Sequence, residues 1–208
     1  MSSTIIQGFF VSFGLIVAIG AQNAYVLKQG LLKQHIFWVC LVCFLCDFTL
    51  LSLGVLGLGS LIGQSKIATL SLAIFGAVFL LWYGFRSFRS AYQGGANLSV
   101  DGTRSQATLK QTIATTLALT LLNPHVYLDT LVLVGSIASP LATSEKYQFL
   151  IGAVCASALW FFGLGYGARL LIPLFAKPNT WRVLDGFIGV VMWAIAFSLI
   201  KYALNIGY

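Results

Sequence analysis

Six long apolar stretches dominate the chain: about Thr4–Val26, Ile36–Ile62, Ile67–Phe85, Thr112–Ala138, Phe149–Ile172 and Val183–Ile200. At a helical rise of about 1.5 Å per residue, each can cross a hydrocarbon core about 30 Å thick. A helix also keeps its backbone N–H and C=O groups bonded internally, which lipid requires. Only 8% of the 208 residues are charged and 59% are apolar, whereas a soluble domain carries about 25% charged residues. The expectation is an all-α polytopic membrane protein of six transmembrane helices. Asn123, Pro124, His125 and Asp129 interrupt the fourth stretch, so a five-span chain is the alternative.

The net charge of +7 could suggest a nucleic-acid partner, but no six-residue window holds more than two Lys or Arg. None is expected. The positive charges sort by loop instead. Nine of the twelve fall in the first (Lys28, Lys33), third (Arg86, Arg89, Arg104, Lys110) and fifth (Arg169, Lys177, Arg182) loops. Lys66, Lys146 and Lys201 belong to the other side. The positive-inside rule then makes loops one, three and five cytoplasmic and puts both termini outside. No Lys or Arg precedes Lys28, so the first stretch lacks the charged start of a signal peptide and reads as a retained span.

The one long polar stretch, Gln93–Gln111, splits a single transmembrane domain (1–208) into half-repeats of about 1–92 and 110–208, joined by a cytoplasmic loop at 93–109. Three spans per half means the halves enter from opposite faces. This is the 3+3 inverted-repeat arrangement of secondary transporters, whose sites lie at broken helices. Two G-x-x-x-G spacings, Gly59–Gly63 and Gly163–Gly167, would let helix backbones approach. Internal packing is the expected use and a homo-oligomer contact the alternative. Trp38, Trp160, Trp181, Tyr92 and Tyr147 sit near span ends and read as interfacial anchors.

Ionisable groups inside the membrane are the most informative residues, because each costs at least about 2.5–3.5 kcal/mol at a helix centre. Asp47 lies about 16 Å into the second span and Asp129 about 15 Å into the fourth, by helical rise. No Lys or Arg sits at similar depth in the sequence, which points to a site for a cation or proton. Asp101 and Glu145 fall in loops, and Asp185, near the end of the sixth span, reads as a solvated acid within reach of Arg182.

Two backbone interruptions accompany the midplane acids. Gly20-Ala21-Gln22-Asn23 puts a flexible residue and two amides in the first span. Asn123-Pro124-His125 breaks the fourth, since Pro124 has no N–H to donate and clashes with the preceding turn. Asn then Pro reads as the N-cap and first residue of a new half-helix, whose positive end suits a carboxylate. A zwitterion with an extra positive charge fits the set: its α-carboxylate at Asn123-Pro124, its cationic side chain on Asp47 or Asp129, and the amides of Gln22 and Asn23 adding neutral hydrogen bonds.

Catalytic and metal motifs are missing. Cys40, Cys43 and Cys46 have iron–sulfur-like spacing, but within a transmembrane helix they read as packing residues. His35 and His125 are too isolated for a zinc site. There is no H-E-x-x-H, G-x-S-x-G or phosphate loop. Neither an enzyme nor a bound cofactor or metal is expected.

At these residues the chain resembles the lysine/arginine exporter family (LysE type), closest to its arginine-exporting branch. The resemblance is carried by Gly20-Ala21-Gln22-Asn23-Ala24 with Lys28-Gln29-Gly30, by Asp47, by Leu80-Leu81-Trp82-Tyr83-Gly84, by Leu122-Asn123-Pro124-His125-Val126-Tyr127-Leu128-Asp129, and by Trp160-Phe161-Phe162. It implies a bacterial inner-membrane exporter of basic amino acids driven by the proton-motive force, with the family's paired aspartates at Asp47 and Asp129. The family usually has Pro where this chain has Ala21, which leaves Gly20 as the flexible element of the first break. Exporting a cation against an inside-negative potential costs about 2.3 kcal/mol per charge per 100 mV, and a proton moving inward cancels that charge. A neutral-amino-acid or small-metabolite exporter is the alternative; a passive channel or a non-transporting membrane subunit has less in its favour.

Overall fold

A computed structural model describes residues 2–18, 20–57, 66–93, 107–176 and 178–207. Every regular element among them is helical. The first span consists of two arms, α1 (Ser2–Ile16) and α2 (Ala21–Leu32), set at 83°. A turn with Lys33 (φ 55°) and His35 (φ 48°) in the left-handed region reverses the chain into α3 (Ile36–Val55). Next comes α4 (Lys66–Tyr92), 27 residues long. The fourth span is also two arms, bent by 61°. Its first is α5 (Leu109–Leu121), opened by a capping box between Thr108 and Gln111. Its second runs through α6 (Pro124–Tyr127), a π-helical turn (Leu128–Leu133) and α7 (Val134–Ala138). Helix α8 (Thr143–Gly167), a 3-10 stretch (Ala168–Ala176) and α9 (Pro178–Gly207) complete the chain.

Among the described residues three helices are individually long and apolar enough to cross a membrane, and up to five spans result if each bent pair is one. Helix α4 covers the expected third span. Large apolar side chains face outward, with Phe10 65%, Phe75 67% and Val183 71% exposed. Such surface is a liability in water and a natural face toward lipid.

Helices from opposite halves of the chain pack together. The most extensive pairing is α4 on α9, followed by α1 on α8 and α3 on α8. Where α1 crosses α8, a side chain at Gly8 would run into the Phe149 carbonyl, and one at Gly152 into the Ile5 carbonyl. Gly30 on α2 lies equally close to the Gly165 carbonyl of α8. Gly54 on α3 meets the Thr130 carbonyl, and Gly135 lies 2.9 Å from the Gly54 carbonyl by the same measure. These approaches need residues without a Cβ. The Gly163–Gly167 pair expected to pack internally meets nothing within 4 Å; packing uses Gly165 between them. Gly59, Gly63 and Asp101 lie outside the described residues.

Other expectations need correcting. The helix of the first stretch continues to Leu32 rather than ending at Val26, so Gly20–Asn23 falls between two arms of similar length. Lys28 is therefore helical, not a loop residue. Its ammonium pairs at 2.5 Å with Asp185, which is fully buried and also accepts a hydrogen bond from Ser90 (2.6 Å). Asp185 is thus not a solvated acid beside Arg182, and its pairing ties α2 and α4 to α9. Glu145 lies in the first turn of α8, where it accepts from the Ala142 N–H. Trp38, Tyr92 and Tyr147 are exposed, but Trp181 is buried and donates to the Phe175 carbonyl. Trp160 is turned inward onto Asn23.

The apolar interior forms two clusters. A larger one joins α2, α3, α4, α8 and α9 around Val26, Val39, Phe161 and Ile188, and a smaller one joins Leu51, Val134 and Phe149. Leu51 and Val134 from the smaller, and Ala21 and Phe161 from the larger, line the same cavity.

Candidate functional site

Both helix breaks open on that cavity, which has a volume of about 240 Å³. Gly20, Gln22 and Asn23 border it from the first break, Asn123 and His125 from the second, and Asp47 and Asp129 from α3 and the π turn. Pro124, buried beside Asn123, fixes the second break without lining the cavity. Residues more than a hundred positions apart converge because each broken span turns its interruption inward.

At the first break, the Asn23 amide donates to the carbonyls of Ile16 (2.7 Å) and Ala18 (2.8 Å), groups that the end of α1 leaves without helical partners. Its oxygen accepts from the Trp160 indole at 3.2 Å. Asn23 therefore braces the bend. Its neighbour Gln22 is different: the side-chain nitrogen is buried without a hydrogen-bond partner. The same holds for the Ser12 hydroxyl, 1% exposed and on the cavity wall. No side chain caps the N-terminus of α2.

The second break is closed on itself. Tyr127 donates to the Leu121 carbonyl at 2.9 Å, satisfying the end of α5. Asn123 is the N-cap and Pro124 the first helical residue, as the sequence suggests. The Asn123 side chain accepts the His125 N–H (3.2 Å), and its carbonyl accepts the Val126 N–H (3.1 Å).

Asp47 is 4% exposed, and one of its oxygens accepts from Ser157 of α8 at 2.8 Å. Asp129 is half-buried, one turn beyond His125. It sits in the π turn, a geometry frequent at functional positions. Among the described residues the one ion pair is Lys28–Asp185, away from both acids. Cys40 and Cys43 are buried, Cys40 against the Phe161 carbonyl, and the described residues hold no group of three metal-ligating side chains. Ser12, Ser157 and the π turn were not signalled by the sequence. A serine in an apolar helix is common, and only the fold reveals which lack a partner or meet an acid.

A multi-pass helical membrane protein with a small cavity between two broken helices, largely apolar but holding two carboxylates, has the architecture of a transporter. Residues 13–203 match the LysE type translocator family, and the chain belongs to it. It is 41% identical over 204 residues to the YggA protein of Aeromonas salmonicida, named as a provisional amino-acid transporter, covering 98% of both chains. It is 40% identical over 201 residues to the arginine exporter protein ArgO of Salmonella paratyphi A, covering 97% of this chain and 95% of the relative. ArgO of Salmonella typhimurium strain LT2 matches to the same extent. No solved structure matches the chain. It is a membrane transporter of the amino-acid-exporting type, not an enzyme.

Proposed function

We propose that the chain exports basic amino acids, arginine first and lysine second, across the bacterial inner membrane by proton antiport. The observation that carries this reading is the pair of intramembrane acids, Asp47 and Asp129, on one cavity, neither of them paired with a Lys or Arg among the described residues. A site with two carboxylates and no cation of its own is completed by a cationic substrate or by protons. The cavity is somewhat smaller than the range of about 300–1,000 Å³ typical of sites for drug-sized ligands, as suits one amino acid. Relatives at 40% identity carry the name arginine exporter.

In this reading, Asp47 and Asp129 hold the substrate's cationic group on the outward passage and protons on the return. Mutual exclusion couples the two flows. Six spans in a 3+3 inverted repeat give the scaffold for alternating access. Its support is the pairing pattern: the crossing of α2 on α8, with Gly30 against Gly165, has its counterpart in the second arm of the fourth span against α3, with Gly135 against Gly54. Both breaks also fall mid-span. Loops one, three and five are cytoplasmic and both termini outside, since without Lys28 the loop charges still divide eight to three.

Counterflow into liposomes holding the purified protein and unlabelled arginine tests the reading. Transient accumulation of labelled arginine is expected, abolished by excess lysine and unaffected by leucine. Inhibition by leucine or homoserine instead moves the assignment to neutral amino acids. Asp47→Asn and Asp129→Asn should each abolish proton-driven export, and intact coupling in both would remove the antiport mechanism.

A further inference from the structure

We infer that the substrate's α-carboxylate is held at the first break, by the uncapped N-terminus of α2 together with Ser12 and Gln22. The inference rests on the reading of the cavity as an amino-acid site. An anion pocket at the second break has little to offer it. Pro124 has no N–H, the His125 N–H is taken by the Asn123 side chain, and the Val126 N–H by the Asn123 carbonyl. The fourth span supplies its own acceptor where a ligand's would go.

The first break leaves that position open. Helix α2 is 12 residues long and its N-cap is Gly20, which has no side chain to accept from the first turn. Among the described residues, the first N–H there with a backbone acceptor is that of Ala24, bonded to the Gly20 carbonyl at 3.0 Å. Gly20, Ala21 and Gln22 all face the cavity, so the positive end of the helix is directed into it. Two further donors point the same way. The Ser12 hydroxyl and the Gln22 amide nitrogen are buried on the cavity wall and bond to nothing. Buried polar groups are almost always hydrogen-bonded, so two orphans on the wall of one cavity ask for a partner from outside the protein. Both can donate, and the helix end adds further donors, so the partner is an anion with several acceptor lone pairs. A carboxylate meets that description, and the acids Asp47 and Asp129 on the same cavity would receive the opposite end of the molecule. Asn23, fully engaged in bracing the bend, shapes the pocket without entering it.

The test compares each amino acid with the amine that lacks only its carboxylate, using calorimetric binding to the full-length protein in nanodiscs. L-arginine is paired with agmatine, and L-leucine with isoamylamine. The wild-type protein should bind arginine more than tenfold tighter than agmatine, since several hydrogen bonds to a charged group are at stake, each worth about tenfold. Ser12→Ala and Gln22→Ala should each weaken arginine by about tenfold and change agmatine less than twofold. Equal weakening of arginine and agmatine overturns the inference, because the two side chains would then only shape the cavity. Unchanged arginine binding in both variants, each confirmed folded by its melting profile, overturns it too. If arginine fails to bind but leucine binds over isoamylamine with the same dependence on Ser12 and Gln22, the carboxylate pocket stands and the basic-substrate reading falls. Failure of both amino acids to bind the wild-type protein overturns both.

Discussion

The two broken spans solve one problem in opposite ways. Interrupting a helix inside a membrane strands carbonyls on one side of the gap and N–H groups on the other. Both spans satisfy the carbonyls with a side chain from beyond the break, Asn23 in the first and Tyr127 in the fourth. They part at the N–H side. The fourth span caps itself with Asn123, whereas the first has Gly20 and no cap. If the carboxylate sits as inferred, the break that completes itself serves the fold and the one left open near unpartnered donors serves the ligand.

That contrast can be attacked at several strengths. The largest effect should come from Asp185→Ala, which removes the charge pinning α2 and leaves the half-buried Lys28 without its partner. Loss of one member of a buried pair costs about 3–5 kcal/mol, read as a collapse of the melting temperature. Next is Gly20→Asp. Gly20 is extended (φ −124°, ψ 176°), and a Cβ there would meet only the Ala18 carbonyl at 4.0 Å, so the side chain fits. It would cap α2 as Asn123 caps α6 and occupy the anion position. Stability should stay within about a few tenths of a kcal/mol while arginine binding falls at least about tenfold; unaltered binding would erase the distinction between the breaks. Asn123→Ala should cost about 1 kcal/mol of stability by removing a cap, measured by thermal melting, and leave the arginine-to-agmatine ratio unchanged. The smallest effect is expected from Ala21→Pro at the first helical position. Its ring suits that site, and a gain of about 0.4–1 kcal/mol follows from the stiffer unfolded chain.

Much of this was legible from sequence, for reasons of cost. Apolar length dictated helices, and the midplane acids stood out because nothing nearby offsets their burial. Asn123-Pro124 announced its cap and first turn through chemistry local to four residues. What escaped depends on distant partners. Lys28 read as the start of a loop because the acid that neutralises it is 157 residues away. That misreading shortened the first span by six residues and pushed its break toward the membrane surface. Ser157 carries no mark distinguishing it from any small helical residue, yet it is the hydrogen-bond donor to Asp47. The π turn at Asp129 has no composition of its own; it arises where the second arm of the fourth span meets the backbone of α3 at Gly54.

The glycine crossings along α8 have a mechanical meaning. One, at Gly8 and Gly152, fastens this helix to the arm before the first bend, and another, at Gly30 and Gly165, fastens it to the arm after. Two arms and a strut make a triangle, and a triangle cannot change an angle without changing the length of a side. The angle between α1 and α2 is braced in this way, and α1, α2 and α8 are expected to move as one piece. Motion that admits or releases cargo falls to the partners of that piece. Among the described residues one ion pair, Lys28–Asp185, ties α4 and α9 to that piece, and apolar contact does the rest, which is how a door is hung on its frame.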